Sequence, residues 1–220
     1  RSLTQENPFL HGAPSLQDAS LMYDLYGGLR GSLSQDVGFD VRISKSRTDD
    51  KALFIGQETH YAGVRYGDQF LPVYDRVDQL DIGGELRYSH DEHVDVHGGL
   101  HLFNYGTDVQ AEAWNLPTYT INLGGTYDFQ DKLLLKVEAQ FLGSRKSTLP
   151  VPEGWNDLSP APTAVDLGGY VDLYLGLEYR YTKRFSVFLD VSNLSASKYE
   201  RWYGYPVQRG LILGGGTYAF

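Results

Sequence analysis

Residues 170–181, YVDLYLGLEYRY, decide how the rest of the chain reads. Val171, Leu173, Leu175, Leu177, Tyr179 and Tyr181 fall on one face of an extended strand. Tyr170, Asp172, Tyr174, Gly176, Glu178 and Arg180 fall on the other, because side chains alternate with a period of two. One face suits hydrocarbon and the other suits water.

The same split recurs along the chain. Tyr119, Ile121, Leu123, Tyr127 and Phe129 oppose Thr120, Asn122, Thr126 and Asp128, and Leu133, Leu135, Val137 and Phe141 oppose Lys136, Glu138 and Gln140. Phe185, Val187, Leu189 and Val191 oppose Ser186, Asp190 and Ser192. Earlier strands place Leu25 and Leu29 against Asp24 and Arg30, and Val41 and Ile43 against Asp40 and Arg42. Ile82, Leu86 and Tyr88 stand against Asp81, Glu85 and Arg87, and Val96, Leu100 and Leu102 against Asp95, His97 and His101. With a final strand over about Arg209 to Phe220, the count is about nine. An all-β antiparallel transmembrane meander follows, read as one unit over residues 1–220.

Connection lengths support a barrel wall. Short turns near Ser32–Asp36, His90–His93, Phe129–Lys132 and Thr182–Arg184 alternate with long connections. The long ones are Gly56–Phe70, Tyr105–Pro117, Lys146–Asp166 and Lys198–Gln208. Outer-membrane barrels sort their loops this way, with short turns in the periplasm. Aromatics near the short turns (Phe39, Tyr88, Tyr127, Phe129, Tyr179, Tyr181, Phe185, Tyr218 and Phe220) are expected to form one interfacial girdle. An odd strand count puts the first and last strands in the same direction, so direct closure would need a parallel pair. Both edges must be covered at membrane depth, which points to part of a larger barrel.

Composition agrees with this reading and excludes others. Seventeen Tyr and 25 Gly accompany 21% charged residues, and no run of about 18 uncharged apolar residues could form a membrane helix. A net charge of -9 excludes a nucleic-acid partner, and the absence of cysteine excludes disulfides and thiolate chemistry. Arg1–Glu6 has no apolar signal-peptide core, so a mature or truncated product is expected.

At the carboxyl end, Asn193-Leu194, Lys198-Tyr199, Tyr203-Gly204-Tyr205-Pro206, Arg209-Gly210 and Tyr218-Ala219-Phe220 occur in series. Near the start, Asn7-Pro8-Phe9-Leu10 precedes a Tyr-rich strand carrying Gly27-Gly28. These landmarks resemble the carboxyl-terminal barrel portion of TonB-dependent receptors. The resemblance implies an outer-membrane barrel of a Gram-negative-type bacterium, of about 22 strands around an amino-terminal plug. Such barrels are energised from the inner membrane and import siderophores, glycans, cobalamin or peptides. The chain shows no plug and no energy-coupling box, so the expected partners are a missing amino-terminal barrel and plug portion or another envelope subunit. Outer-membrane lipid and lipopolysaccharide would surround it. A plugless structural subunit of an envelope complex, or a small complete barrel of eight to ten strands, are the alternatives.

The polar face supplies the expected lumen lining: Asp24, Arg30, Arg42, Glu85, Arg87, His97, His101, Glu138, Asp172, Glu178 and Arg180. Opposite charges there can pair across strands, or contact a plug or a polar solute. His97 and His101 lie about 13 Å apart along a strand at about 3.3 Å per residue, too far to share one metal ion unaided. The His90–His93 cluster reads as a solvated turn. In the long connections, Trp155 sits among Pro150, Pro152, Pro160 and Pro162, while Trp202, Tyr203 and Tyr205 crowd the last. Such aromatics can grip a sugar, a chelate or a partner protein, or can form the outer interfacial belt. No Gly-x-Ser-x-Gly elbow is present, and Gly214–Gly216 lacks the Lys-Ser/Thr and helix of a phosphate loop. No catalytic residue, metal or cofactor is expected, and those glycines read as a site of close packing or bending.

The two faces make a testable contrast. Leu175→Arg near the bilayer midplane should cost about 2–4 kcal/mol and impair membrane assembly, whereas Asp172→Asn should be mild. Heat-modifiability on gels reads both, and equal tolerance at the two positions would refute the face assignment.

Overall fold

The computed structural model describes residues 18–156 and 159–219. The Asn7–Leu10 landmark and Phe220 lie outside the described residues. All described regular structure is extended, in thirteen strands: β1 (Ser20–Ser32), β2 (Val37–Tyr61), β3 (Val64–His90), β4 (Val94–Thr107), β5 (Tyr119–Phe129), β6 (Leu133–Leu142), β7 (Arg145–Thr148), β8 (Ala164–Leu167), β9 (Tyr170–Thr182), β10 (Phe185–Ser192), β11 (Glu200–Trp202), β12 (Tyr205–Pro206) and β13 (Leu211–Tyr218). Nine of them form one antiparallel sheet in the order β1-β2-β3-β4-β5-β6-β9-β10-β13. These are the nine strands expected from alternation. Two small hairpins, β7-β8 and β11-β12, stand apart within the connections.

Register carries the alternation across the sheet. Ile43 pairs with Ile82 and Ile82 with Leu102, keeping apolar residues on one face. Asp40 pairs with Arg30 and with Glu85, keeping charges on the other. The apolar face has nothing packed over it: Leu29 is 75% exposed, and Leu86, Leu123 and Leu189 are exposed too. On β3 this face runs from Tyr88 to Leu80. Nine residues at about 3.3 Å each, tilted by roughly 40°, rise about 20–25 Å, which matches the apolar band of a barrel wall. Above that band the same face turns polar, where Arg47 meets Asp78 through two hydrogen bonds of 2.8 and 2.9 Å.

Short turns gather at one rim and are stitched by backbone bonds. The Ser89 N–H donates to the Asp36 carbonyl (2.9 Å), Asp128 to His93 (2.8 Å) and Arg180 to Lys132 (2.7 Å). The loop bearing Trp155 lies at the opposite rim, because three antiparallel strands separate it from the His90–His93 turn. Among the described residues, β1 and β13 share no ladder, so the sheet keeps two open edges and does not seal into the small cylinder weighed above.

The connection expected over Gly56–Phe70 is not a loop. β2 and β3 continue as one long hairpin, paired from Val37↔Tyr88 to Tyr61↔Val64, with Gly63 at φ +78 in the tip. A bulge between Thr48 and Lys51, with Asp50 at φ 54, bends the hairpin where it leaves the membrane band. Beyond the bulge Leu53, Ile55 and Val73, with Val77 at its foot, meet Trp114 of the β4-β5 loop and Val151 of the β6-β9 loop. Leu53, Ile55 and Trp114 are at most 1% exposed. The buried apolar cluster of this chain therefore sits in a cap above the wall, while the wall itself is one layer thick.

Trp114 is the largest fully buried side chain, and its indole N–H donates to the Gln110 amide oxygen at 3.0 Å. Trp114→Ala should cost about 3–5 kcal/mol locally. Limited proteolysis should then cut the long connections while the strands stay protected, and an unchanged digestion pattern would contradict a packed cap.

Candidate functional site: the inner wall and its cap

Inner-facing side chains line a continuous concave surface. One concavity of about 760 Å³ is bordered by Arg30, Asp40, Glu85, Arg87, Asp95 and His101. A second, of about 380 Å³, adjoins it through His97 and Asn122 and extends to Glu138, Asp172 and Tyr174. Asp24, Arg42, Glu178 and Arg180 stand on the same inner face by register. The expected lumen-lining set is thus assembled on one side of the sheet.

Every inner cation in this set has a carboxylate beside it. Arg30 pairs with Asp40 at 3.1 Å, Arg42 with Asp24 at 3.4 Å and Arg87 with Asp95 at 2.7 Å. Lys136 pairs with Glu138 at 2.8 Å, and Arg180 lies 3.0 Å from Asp128 and 3.6 Å from Glu178. These pairs are partly exposed, so each is worth roughly 0.2–1 kcal/mol. Their main effect is to leave the wall hydrophilic with a surplus of acid.

The two histidines take separate partners. His101 Nδ1 lies 3.0 Å from Asp81, and His97 Nδ1 is 3.8 Å from Asp95. Each ring lies over a glycine on the neighbouring strand. A Cβ added to Gly83 would come within 2.5 Å of the His101 ring, and one at Gly124 within 2.4 Å of the His97 ring. These glycines let imidazoles lie flat on the wall.

Toward the β13 edge the inner face becomes apolar, a feature that alternation in single strands does not reveal. Phe188 pairs with Gly215 and faces inward, beside inward-facing Leu211 and Leu213. A Cβ at Gly215 would lie 2.8 Å from the Phe188 ring, so within the Gly214–Gly216 run it is Gly215 that serves close packing there.

The loop aromatics are partly built into the cap. Trp202 packs on Phe70 (4.8 Å between centroids) and Phe54 (6.0 Å), and Tyr205 packs on Phe70 and donates its hydroxyl to the Asp68 carbonyl. Trp155 donates its indole N–H to the Pro160 carbonyl at 3.0 Å, and Tyr203 is half-buried at the β11-β12 turn. Arg145, 5% exposed, ties the β6-β9 loop to β11 by donating to the Arg201 and Glu200 carbonyls at 2.7 and 2.8 Å. Burial lowers its guanidinium pKa from the usual arginine value. Its head lies 5.3 Å from the Tyr170 ring, on which Tyr199 stacks at 3.9 Å. Tyr199 donates to Asp172 at 2.9 Å, and burial followed by that bond pushes its hydroxyl up to about 12. The cap is thereby anchored to the wall.

By sequence, the chain matches no protein-family model and no curated protein. By fold it matches solved outer-membrane receptors. The ferripyoverdine receptor of the outer membrane of Pseudomonas aeruginosa aligns over 90% of this chain with a TM-score of 0.64 at 14% identity. The siderophore receptor PirA from Acinetobacter baumannii aligns over 90% at 0.62 and 15%, and the copper transporter OprC over 94% at 0.62 and 12%. The fold is that of the receptor barrel wall. The chain spans 27%, 31% and 32% of the lengths of these three proteins.

Arg145→Met should remove two charge-assisted hydrogen bonds to β11, worth about 1.5–3 kcal/mol each. Protease cleavage at the exposed Gly204 turn should accelerate, with the barrel's heat-modifiability retained. Unchanged cleavage would show that Arg145 does not hold the last hairpin.

Proposed function

We propose that this chain is the carboxyl-terminal wall of a TonB-dependent outer-membrane receptor that imports a large solute. The observation that carries the proposal is the pairing of an unpacked apolar outer face with a charged concave inner face, on a fold shared over nine-tenths of the chain with siderophore and copper receptors. Lipid and lipopolysaccharide cover the outer face. The open edges of β1 and β13 pair with the remaining strands of the same barrel, since bare edges in hydrocarbon are too costly. The capped loops present Trp155 and Tyr203 toward the cell exterior, where they serve as first contacts for the solute. The chain acts by binding and passage and carries no catalytic step.

Deleting the gene and supplying ferric siderophores, cobalamin and copper in turn tests this reading. Uptake of one solute should be lost, restored by the gene, and abolished in complemented cells by an uncoupler of the inner-membrane proton gradient. If uptake of every solute persists and the deletion instead damages the envelope, the chain is a structural subunit and the import reading fails.

A further inference from the structure

At the short-turn rim, two side chains that the functional reading does not use converge on Asp128, the partner of Arg180. His93 ends the β3-β4 turn, Asp128 lies near the end of β5 and Asp131 sits within the β5-β6 turn. The register Val94↔Tyr127 brings these turns together, and the Asp128 N–H donates to the His93 carbonyl at 2.8 Å. One donor atom from each of His93, Asp128 and Asp131 lies within 4.8 Å of the others, and no second group of three among the described residues does so.

The Asp128 carboxylate supplies a second, independent observation. Its Oδ2 accepts from Arg180 Nη1 at 3.0 Å, whereas its Oδ1 is buried and has no hydrogen-bond partner. A buried carboxylate oxygen without a donor is rare in a folded protein. His93 and Asp131 are exposed, so their side chains are free to close on it.

We propose that His93, Asp128 and Asp131 bind one divalent transition cation of the zinc type. One imidazole nitrogen and two carboxylate oxygens suit zinc, whereas calcium and magnesium take six or more oxygens. Bonds of about 2.0–2.2 Å place tetrahedral ligands about 3.4 Å apart, a modest closure from the observed spacing. Arg180 holds Asp128 Oδ2 at 3.0 Å, as outer partners of metal ligands do, and the unpartnered Oδ1 would ligate the metal. Water completes the fourth position. The ion would clamp two turns on the rim assigned to the periplasm, independently of what the barrel imports.

The full-length protein, purified in detergent and stripped with a chelator, is dialysed against zinc(II), and bound metal is counted by mass spectrometry. One equivalent is expected, with affinity falling at least about tenfold in His93→Ala and Asp131→Asn and holding in His97→Ala. Asp128 is left intact because its loss would also free Arg180. Cobalt(II) on the unmodified protein gives a second measurement, with visible absorption of a tetrahedral site expected. Less than one equivalent of zinc, zinc retained in both variants, or no tetrahedral cobalt spectrum would overturn the site. Those outcomes would leave His93 as a turn residue whose carbonyl accepts from the Asp128 N–H.

Discussion

Hydrocarbon offers no hydrogen bonds, and each backbone N–H or C=O left bare in it costs several kcal/mol. Everything at membrane depth in this chain answers to that constraint. The ladder from β1 to β13 satisfies interior strands on both sides and leaves only the two outermost edges for a neighbour. Because the backbone is satisfied by neighbours in the sheet plane, side chains are free to divide between lipid and water. The wall needs no second layer, and its leucines remain exposed for that reason.

Above the membrane band the constraint changes. Water can satisfy loose backbone, so the connections need another reason to be ordered, and here it is burial. Leu53, Ile55 and Val73 of the protruding hairpin gather Trp114 and Val151 from two other connections. Asp75, 4% exposed, accepts from the Val109 and Gln110 N–H groups and fixes the start of the β4-β5 loop. Asn115 reaches back to the Phe54 carbonyl at 2.7 Å. The long connections thus behave as one packed body on a thin wall, and the inner surface below it stays polar and concave.

Strands of the wall were legible because one solvent lay on each side of them, so Leu175 and Asp172 had no choice of face. The upper half of β2 was not, because both its faces are covered. Leu53 and Ile55 point into the cap cluster while Phe54, between them, packs on Trp202, so the run Lys51–Gly56 has lost its period of two. The bulge at Thr48–Lys51 also interrupts the register that a reader would extend. Inner-wall charges such as Arg87 and Asp95 were assignable to one common face by parity alone. Their partners were not, since pairing depends on rotamers and diagonal reach. The rim cluster escaped notice because His93 and Asp128 meet only through the β4-β5 register, and the inward turn of Phe188 mattered only once Gly215 was seen opposite it.

The cap contacts also bear on the order of assembly. Neighbouring strands of the wall are mostly joined by turns of a few residues, so their pairing closes short loops and is fast. Asn115 meets Phe54 across 61 residues, Thr148 meets Gly56 across 92 and Tyr205 meets Asp68 across 137. Such contacts close only after the intervening hairpins have fixed their ends in space. The cap is therefore contingent on the wall: its long-range contacts can form only between hairpins that already hold their ends in place.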